Sequence, residues 1–326
     1  MRGLIAGLVF YVYGKSQYMP LSFMWFQNIN YHSELVMRNK LYILLITILG
    51  ELIKLFCKVG LILPLSKITV GNNEQKVIVS LTSYGRRVSD VLPYTIISLL
   101  RQTYRPDQIL LWLDSDNWND DNIPKSLKRF MQYGLTIRYC KDLKSYKKIV
   151  PTLEVYPDAL IITCDDDIYY RKNMVERLVR AYQKDPTQIY CHRAHRIEFS
   201  NNGELLPYND WEQEVAGEGG YNIFPTSGGG TLYNSKLLHA DTTNEDLFMK
   251  LSPKADDVWL YFMSFLKKTK SYVLPYKGYI YIPLDVFYQH FHKDSNLYIS
   301  KCLESENDKQ IKSVVKYYNI EFTDNE

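Results

Sequence analysis

The chain has 326 residues, of which 46% are hydrophobic and 23% are charged, and its formal net charge is +3. These values are ordinary for a globular protein with one large α/β domain and an appendage, or with two domains. The small net charge gives no electrostatic basis for nucleic-acid binding. The five cysteines are scattered and lack Cys-x-x-Cys spacing, so the sequence indicates neither a zinc site nor a disulfide framework. This cysteine usage favours a reducing compartment.

Residues 1–72 lean towards apolar and aromatic side chains and are predicted to form a helical N-terminal region. No uninterrupted apolar run reaches the roughly 18–20 residues needed to span a bilayer, and a cleaved signal peptide is disfavoured. Leu41–Leu65 is predicted as an apolar helix with one polar stripe, which consists of Thr47, Glu51, Lys54 and Lys58. Such a helix either lies on a membrane surface or packs against its own domain.

Residues 73–300 alternate between strand and helix patterns, which predicts a mostly parallel sheet with helices on both faces. The predicted elements are, in chain order, strand Lys76–Ser83, helix Val91–Arg101 with Asp90 as its N-cap, strand Gln108–Leu113, a helix around Pro124–Tyr133, strand Leu135–Tyr139, strand Leu160–Cys164, helix Met174–Lys184 and strand Gln188–Phe199. Residues 301–326 are predicted to form a C-terminal helical tail.

Three successive carboxylates, Asp165, Asp166 and Asp167, follow the predicted buried strand Leu160–Cys164. Such a cluster is costly at the end of a buried strand unless a cation or hydrogen-bond donors face it. Oxygens from alternate residues can chelate Mg²⁺ or Mn²⁺, which keep coordination positions open for phosphate oxygens. The alternative is a solvated acidic turn. Because Asp114 also follows a predicted strand, and ligands collect at such strand ends, a metal and diphosphate site is favoured.

Two further candidate motifs lie in the second half of the chain. The successive glycines Gly228–Gly230 let a backbone approach a ligand without Cβ obstruction, with a flexible turn as the alternative. Asp256 and Asp257 precede the predicted apolar helix Val258–Leu266. A carboxylate at a helix N-terminus stays ionised, so one of the two is a candidate general base, and helix capping is the alternative.

Three other segments have weaker signals. His290 and His292 are placed on one side of a predicted strand, which indicates either a metal site or a pair of surface histidines. Asn201–Tyr221 has little periodicity and is predicted as a long functional loop or lid. The basic cluster Lys141–Lys148 is more typical of a solvated face than of a binding site.

The segments VIVSLTSYGRR, ITCDDDIYY, SGGGTLY and ADDVWLY occur in this order along the chain. Together they resemble a GT-A glycosyltransferase, and most closely the family-2-like transferases of bacterial surface polysaccharide synthesis. The resemblance covers roughly residues 75–300 and leaves the N-terminal region outside it. It implies a Rossmann-like GT-A sheet that binds a nucleotide diphosphate-sugar, with a UDP-sugar as the first expectation, and Mn²⁺ or Mg²⁺.

The resemblance also assigns roles by position. It implies a nucleotide site of Ser83, Tyr84, Arg87, Asp114, Asp165 and Asp166, a sugar and acceptor segment of Gly228, Gly229 and Gly230, and a metal site of Asp167 and Asp165 with His290 or His292. One departure concerns Asp114, because the chain continues Ser115-Asp116-Asn117 where the family has a compact acidic pair. The expected contact of Asp114 with the base therefore lies at the point where this sequence departs from the family pattern.

The same resemblance implies that Asp257 is the catalytic base of an inverting hexosyltransferase and that Asp256 is its acidic neighbour. The expected acceptor is a growing surface polysaccharide or a lipid-linked oligosaccharide, and the expected location is the cytoplasmic face of the cell membrane. Two other classes stay open. A sugar nucleotidyltransferase would also hold a divalent ion, although Ser83–Arg87 has only one glycine and no phosphate loop. A non-catalytic carbohydrate-binding or membrane-scaffold protein would have no need of Asp256 and Asp257.

Overall fold

The structure is a computed structural model that describes residues 29–59, 75–275, 281–291 and 306–322, without the side chains of residues 29–42, 281, 290 and 291. The predicted N-terminal region 1–72 and the predicted tail 301–326 are therefore described in part, and His292 lies outside the described residues. The fold is mixed α/β, with a large, mainly parallel central sheet flanked by helices. This is the predicted fold class.

The strands are short, and β1 to β4 lie within two residues of their predicted bounds, whereas the predicted strand Gln188–Phe199 is divided into β6 and β7. They are β1 Val77–Thr82, β2 Gln108–Asp114, β3 Leu135–Cys140, β4 Leu160–Cys164, β5 Ile168–Tyr170, β6 Ile189–Cys191, β7 Ala194–Arg196, β8 Glu212–Val215, β9 Glu218–Gly220, β10 Ile223–Pro225, β11 Thr231–Asn234, β12 Ser271–Val273 and β13 Tyr281–Pro283. The helices are α1 Ile29–Lys58, α2 Arg87–Asp90, α3 Leu92–Leu99, α4 Lys125–Lys128, α5 Val150–Val155, α6 Met174–Lys184, α7 Glu245–Leu251, α8 Asp256–Leu266, α9 Val286–Phe291 and α10 Glu306–Tyr318.

The central sheet has eight strands in the order β3-β2-β1-β4-β11-β6-β12-β9. The strands β3, β2, β1, β4, β6 and β12 run in one direction, and β11 and β9 run in the other. Because β11 is antiparallel to β4, with Thr231 opposite Thr163, β11 begins at the edge where β4 ends. The chain just before β11 therefore meets the chain just after β4.

Both faces of the sheet are buried, which explains the nearly continuous apolar sequence of its inner strands. In β1, Val79 and Leu81 pack into one core, together with side chains of α3 and α6. The intervening Ile78 packs into a second core, which includes Trp259 of α8 and Ile311 of α10. The alternation follows from the two-residue period of a strand.

The predicted long loop or lid Asn201–Tyr221 is wrong for its second half, because residues 212–220 contain strands whereas residues 201–211 lack them. The segment contains β8 and β9, and β8 joins a small sheet of order β10-β7-β8. Tyr208 and Trp211 are buried against Phe224, with ring centroids 5.8 and 5.3 Å from it. Large aromatic side chains at irregular spacing stabilise this segment, and a periodicity test does not detect them.

The helix α1 packs against its own domain, which is one of the two alternatives that its sequence left open, and contact with a membrane surface stays a prediction. One side packs on the domain, where Ile53 and Cys57 are buried in the core and Gly50 is in contact with Pro283. The other side exposes a stripe of large apolar residues, hereafter the apolar stripe, which consists of Leu44, Ile48, Leu52, Leu55 and Val59. Among the described residues, no helix is both long enough and apolar enough to cross a bilayer.

Two local predictions differ from the structure. Asp90 ends the short helix α2, and α3 starts after Val91 without a side-chain cap, so Asp90 is not an N-cap. The predicted helix around Pro124–Tyr133 is only the single turn α4, followed by a 3₁₀ turn at Met131–Tyr133. Gly134, with a φ of 113°, ends it because this backbone conformation favours glycine.

Candidate functional site

Asp165, Asp166 and Asp167 form a turn between β4 and β5, hereafter the acidic turn. The middle carboxylate is buried, whereas the outer two are partly exposed. Asp166 accepts a hydrogen bond from Ser83 Oγ and one of 3.0 Å from Arg87 Nη1. These hydrogen bonds connect the acidic turn to the loop after β1. The carboxylates of Asp165 and Asp167 are therefore the ones that a ligand can reach.

Arg87 is the centre of an ion-pair cluster beside the acidic turn. Its guanidinium nitrogens lie 3.2 Å from Asp167 Oδ2 and 3.2 Å from Asp285 Oδ2. Arg86 donates two further hydrogen bonds to Asp285, of 2.6 and 2.7 Å. Gln289 Nε2, in α9, donates to Asp167 Oδ2 at 2.8 Å. Burial raises the pKa of Asp167 to about 7. The charge of Arg87 lowers this pKa, and the neighbouring carboxylates offset part of that lowering.

Asp256 and Asp257 are the first two residues of α8, hereafter the helix-start pair. Asp257 is half-buried, and its Oδ1 accepts hydrogen bonds from Ser227 N, at 3.0 Å, and from Ser227 Oγ. Burial raises the pKa of Asp257, and the charge of Asp256 adds to this, while Lys148 acts in the opposite direction. A partly exposed carboxylate with a raised pKa is suited to accept a proton.

Lys148 connects the acidic turn with the helix-start pair. Its Nζ lies 2.9 Å from Asp165 Oδ1 and 3.0 Å from Asp256 Oδ2. The lysine side chain is only 6% exposed. One ammonium group therefore neutralises carboxylates from the end of β4 and from the start of α8.

The prediction that Lys141–Lys148 forms a solvated face is wrong at its C-terminal end. Lys147 and Lys148 are both buried, and Lys147 pairs with Asp142. They belong to a 3₁₀ segment, Lys144–Lys148, that packs on β1 and β2 below the acidic turn. The ion pairs make the burial of two lysines tolerable.

The glycine segment Gly228–Gly230 fits tightly between the two acidic groups. A Cβ on Gly228 would lie 2.8 Å from Asp165 Oδ2, and a Cβ on Gly229 would lie 2.7 Å from the Cβ of Arg193. Gly230 has a φ of 93°, which favours glycine. The absence of Cβ atoms is what allows this backbone to approach the acidic turn.

The other predicted nucleotide-site residues follow the neighbouring strands. Ser83 and Asp114 are buried at the ends of β1 and β2, and Tyr84 is 43% exposed. Asp114 Oδ1 accepts hydrogen bonds from Asn117 N, at 3.0 Å, and from Asn117 Nδ2, at 2.6 Å. The departure from the compact acidic pair is thus a turn closed by Asn117, and the base contact of Asp114 stays a prediction.

The predicted strand around His290 is wrong, because His290 lies in α9. A run of six residues is too short to separate a strand period from a helix period, and packing of α9 against α1 decides for the helix. The side chain of His290 and the whole of His292 lie outside the described part, so their role as metal ligands stays a prediction.

Residues 78–241, which are 164 of the 326 residues, match the sequence profile of glycosyl transferase family 2. The chain belongs to glycosyl transferase family 2. As a family 2 glycosyltransferase it is an enzyme, as the sequence predicts. The match begins in β1 and ends after β11, so it includes the acidic turn and the glycine segment.

No curated protein matches this family 2 glycosyltransferase. Solved structures to which it is similar include TarS of S. aureus, with 15% identity and a TM-score of 0.44 over 75% of this chain and 43% of that chain. TarS 1–349 of S. aureus in complex with UDP has 12% identity and a TM-score of 0.42, over 76% of this chain and 72% of that one. The chain thus spans less than half the length of the first of these proteins.

The residues of the acidic turn fit a divalent cation. Within the described ranges, no group of three or more His, Cys, Asp or Glu side chains is arranged to hold a metal ion. Mg²⁺, however, commonly takes one or two protein carboxylates and completes its shell with water and substrate phosphates. Around the turn more carboxylates than cations are present, namely Asp165, Asp166, Asp167 and Asp285 against Arg86, Arg87 and Lys148. Asp165 and Asp167, both partly exposed, are the residues that would hold the ion.

Sequence reasoning missed four residues of this site: Lys148, Ser227, Asp285 and Gln289. Ser227 stands next to the glycine segment, so its position was a usable signal. Asp285 and Gln289 have no motif around them, and their contacts with Arg87 and Asp167 depend on how α9 packs. Only the fold brings these residues to the acidic turn.

Proposed function

We propose that this family 2 glycosyltransferase moves a sugar from a nucleotide diphosphate-sugar, with a UDP-sugar as the first candidate, to a hydroxyl group of a surface polysaccharide or lipid-linked oligosaccharide. The reaction inverts the anomeric centre and depends on a divalent cation. The observation that carries the proposal is that Lys148 pairs with both Asp165 and Asp256. This contact supports the proposal because it brings Asp165, a proposed donor-binding carboxylate, next to Asp256, the sequence neighbour of the proposed base Asp257.

The proposed division of work follows from exposure and hydrogen bonding. Asp165 and Asp167 hold the cation, which when bound would neutralise charge on the leaving diphosphate. Asp257 accepts the proton of the acceptor hydroxyl while that oxygen forms a bond to the anomeric carbon. The bond from this carbon to the diphosphate breaks, and its electron pair leaves with the diphosphate. Because Ser227 occupies Oδ1 of Asp257, we assign the proton to Oδ2.

Turnover of a panel of nucleotide-sugars tests the proposal. Each donor is incubated with the protein in Mn²⁺, in Mg²⁺ and in EDTA, and release of the nucleoside diphosphate is measured with and without glycan acceptors. We expect one donor to be consumed only when metal is present, and product NMR to show the inverted anomer. If no donor releases nucleoside diphosphate and neither UDP nor GDP binds in a metal-dependent way, the proposal is contradicted and a non-catalytic carbohydrate-binding protein is favoured.

We further propose that the apolar stripe of α1 rests on the cytoplasmic face of the cell membrane, where a lipid-linked acceptor would be presented. Three of its residues, Ile48, Leu52 and Leu55, are 46%, 42% and 51% exposed. An exposed apolar face on a helix that is otherwise packed on its domain suits insertion into a lipid interface.

Vesicle sedimentation tests this placement. The full chain is mixed with phosphatidylethanolamine–phosphatidylglycerol vesicles, and Ile48, Leu52 and Leu55 are together replaced by Gln. We expect the triple variant to lose most of the vesicle-bound fraction. A matched control replaces Met131, Val155 and Tyr317, which are comparably exposed elsewhere, by Gln. Equal binding by the two triple variants would remove the membrane role from the apolar stripe.

A further inference from the structure

Lys148 has a position that simple charge neutralisation does not explain. Burying a lysine is costly, and a surface carboxylate such as that of Asp142, the partner of Lys147, is enough to satisfy one. Lys148 instead makes contacts of 2.9 and 3.0 Å to two carboxylates that belong to different parts of the site. Because these two distances sum to 5.9 Å, Asp165 Oδ1 and Asp256 Oδ2 lie no farther apart than that.

The same two parts of the site are joined by a second connection on the backbone. Ser227 binds Asp257, and the next residue, Gly228, lies against Asp165. Tyr170 Oη donates to Gly228 O at 2.9 Å and accepts from Asp165 N at 2.8 Å. The glycine segment therefore keeps the acidic turn and the helix-start pair close, while Lys148 holds their charged groups together.

Like charges at this separation repel unless a cation lies between them. Without the ammonium group of Lys148, Asp165 and the helix-start pair would move apart or take up water. Transfer needs the acceptor oxygen and the anomeric carbon at about 3–3.5 Å, and a misplacement of about 1 Å costs roughly 10²-fold in rate. The spacing of the two carboxylate groups is therefore a property on which turnover depends.

We propose that Lys148 is a positioning residue that fixes the distance between the donor-binding carboxylate Asp165 and the helix-start pair, and so aligns the acceptor with the donor. The proposal rests on the proposed function, which it deepens. Lys148 touches no reacting atom in this account. It acts through Asp165 and Asp256, so its loss should impair turnover more than donor binding.

Lys147 and Lys148 offer a matched pair of substitutions. Their side chains are 4% and 6% exposed, and they are adjacent in one 3₁₀ segment. Lys148→Met and Lys147→Met remove the same charge at the same depth, but only the first removes a contact to the acidic turn. We expect Lys148→Met to lower kcat about 10²-fold with a donor KM within about threefold of wild type. Lys147→Met should leave both constants within about threefold.

Two further measurements separate positioning from folding. Rates are expressed per donor-binding site, counted by titration calorimetry, so that unfolded protein does not contribute. Lys148→Arg, which keeps the charge, should recover at least about tenfold of the lost kcat. The proposal is overturned if both methionine variants lose activity equally, if the rate per site of Lys148→Met equals that of wild type, or if its donor KM rises as much as kcat falls.

Thermal unfolding supplies a readout that needs no turnover. Lys148→Met should lower the Tm, and adding Asp256→Asn should recover several degrees, because the second change removes a buried carboxylate left without its cation. Additive Tm losses in the double variant would overturn the pairing. If wild type turns over no donor, the proposed function fails, and the Tm comparison still decides whether Lys148 holds Asp256.

Discussion

At the scale of single residues, the environment of Asp257 favours proton transfer at the expense of stability. The carboxylate is half-buried and adjacent to Asp256 at the start of α8, and these two factors raise its pKa despite the hydrogen bonds from Ser227 and the charge of Lys148. A base with a raised pKa is stronger at neutral pH. The same environment makes the ionised form costly in the folded protein.

A stability measurement follows from the raised pKa of Asp257. Because the pKa is higher in the folded than in the unfolded chain, stability is lost as the pH rises through the folded value. We therefore expect Asp257→Asn to raise the Tm in EDTA at pH 7.5 by a few degrees. The gain should vanish as the pH falls towards about 4, the ordinary aspartate pKa.

Asp246→Asn is the control, since it makes the same change in the first turn of α7, at an exposed position. It should bring no Tm gain at pH 7.5. A Tm of Asp257→Asn equal to or below that of wild type at pH 7.5 would show that Lys148 and Ser227 outweigh the burial of the carboxylate.

Two neighbouring glycines should respond differently to the same substitution. In Gly228→Ala the new Cβ meets the end of the Asp165 side chain, which can rotate, so metal-dependent donor binding should weaken while the Tm changes little. In Gly229→Ala the new Cβ meets Arg193 at its Cβ and, at 3.1 Å, at its backbone nitrogen, which cannot move freely. We expect the Tm of this variant to fall. The expected loss in free energy of unfolding is about 1–3 kcal/mol, which is typical of overpacking. Equal Tm losses would contradict this contrast.

At the scale of secondary-structure elements, α1 supports the candidate site from behind. It packs on β13 and α9. Asp285, which lies between these two elements, accepts hydrogen bonds from Arg86 and Arg87. Gln289, which lies in α9, donates a hydrogen bond to Asp167. The packing of α1 therefore affects the position of the ion-pair cluster beside the acidic turn.

Gly50 tests this packing. A Cβ there would lie 2.9 Å from the carbonyl oxygen of Pro283, which belongs to the backbone of β13. Gly→Ala inside a helix ordinarily stabilises by about 1 kcal/mol, but here we expect Gly50→Ala to lower the Tm and to make α1 more sensitive to protease. Thr47→Ala, one turn away and less buried, is the control and should not lower the Tm. A raised Tm for Gly50→Ala would show that α1 does not depend on this contact.

The elements show what local sequence can predict. The strands β1, β2 and β4 have the predicted positions within two residues, because an apolar run that is buried on both faces ends sharply at polar residues. The helix α9 and the strands β8 and β9 were not predicted. The secondary structure of a short segment of mixed polarity depends on its packing against distant parts of the chain, so the sequence of the segment alone does not predict it.

At the scale of the whole molecule, the candidate site consists of long-range pairs. The acidic turn and the helix-start pair could be predicted as candidate site residues because acidic residues follow a buried strand or begin an apolar helix, and the choice of Asp257 as the base rests on the resemblance to GT-A transferases. The partners of these residues could not be predicted, since Arg87 and Asp285 are 198 residues apart in sequence and Lys148 lies in an unremarkable basic cluster. Which carboxylate pairs with which cation depends on the assembled sheet.

The surplus of carboxylates around the acidic turn predicts that a divalent cation and nucleotide stabilise the protein together. At a concentration about 100 times the dissociation constant, a ligand of the folded state adds about 2.7 kcal/mol. We expect Mn²⁺ with UDP to raise the Tm of wild type, and not that of Asp167→Asn. Asp158→Asn, at an exposed carboxylate with no contact to the turn, should respond as wild type does. A full Tm rise in Asp167→Asn would remove Asp167 from the metal site.

The most direct test of this account is to measure donor affinity and kcat side by side in wild type, Asp167→Asn and Asp257→Asn, with the donor that the panel identifies. The account predicts that Asp257→Asn binds the donor within about threefold of wild type and loses about 10²–10⁴-fold in kcat. Asp167→Asn should lose the metal-dependent part of donor binding. An Asp257→Asn protein that keeps its fold and the full rate of transfer would contradict the assignment of the base and the proposed mechanism with it.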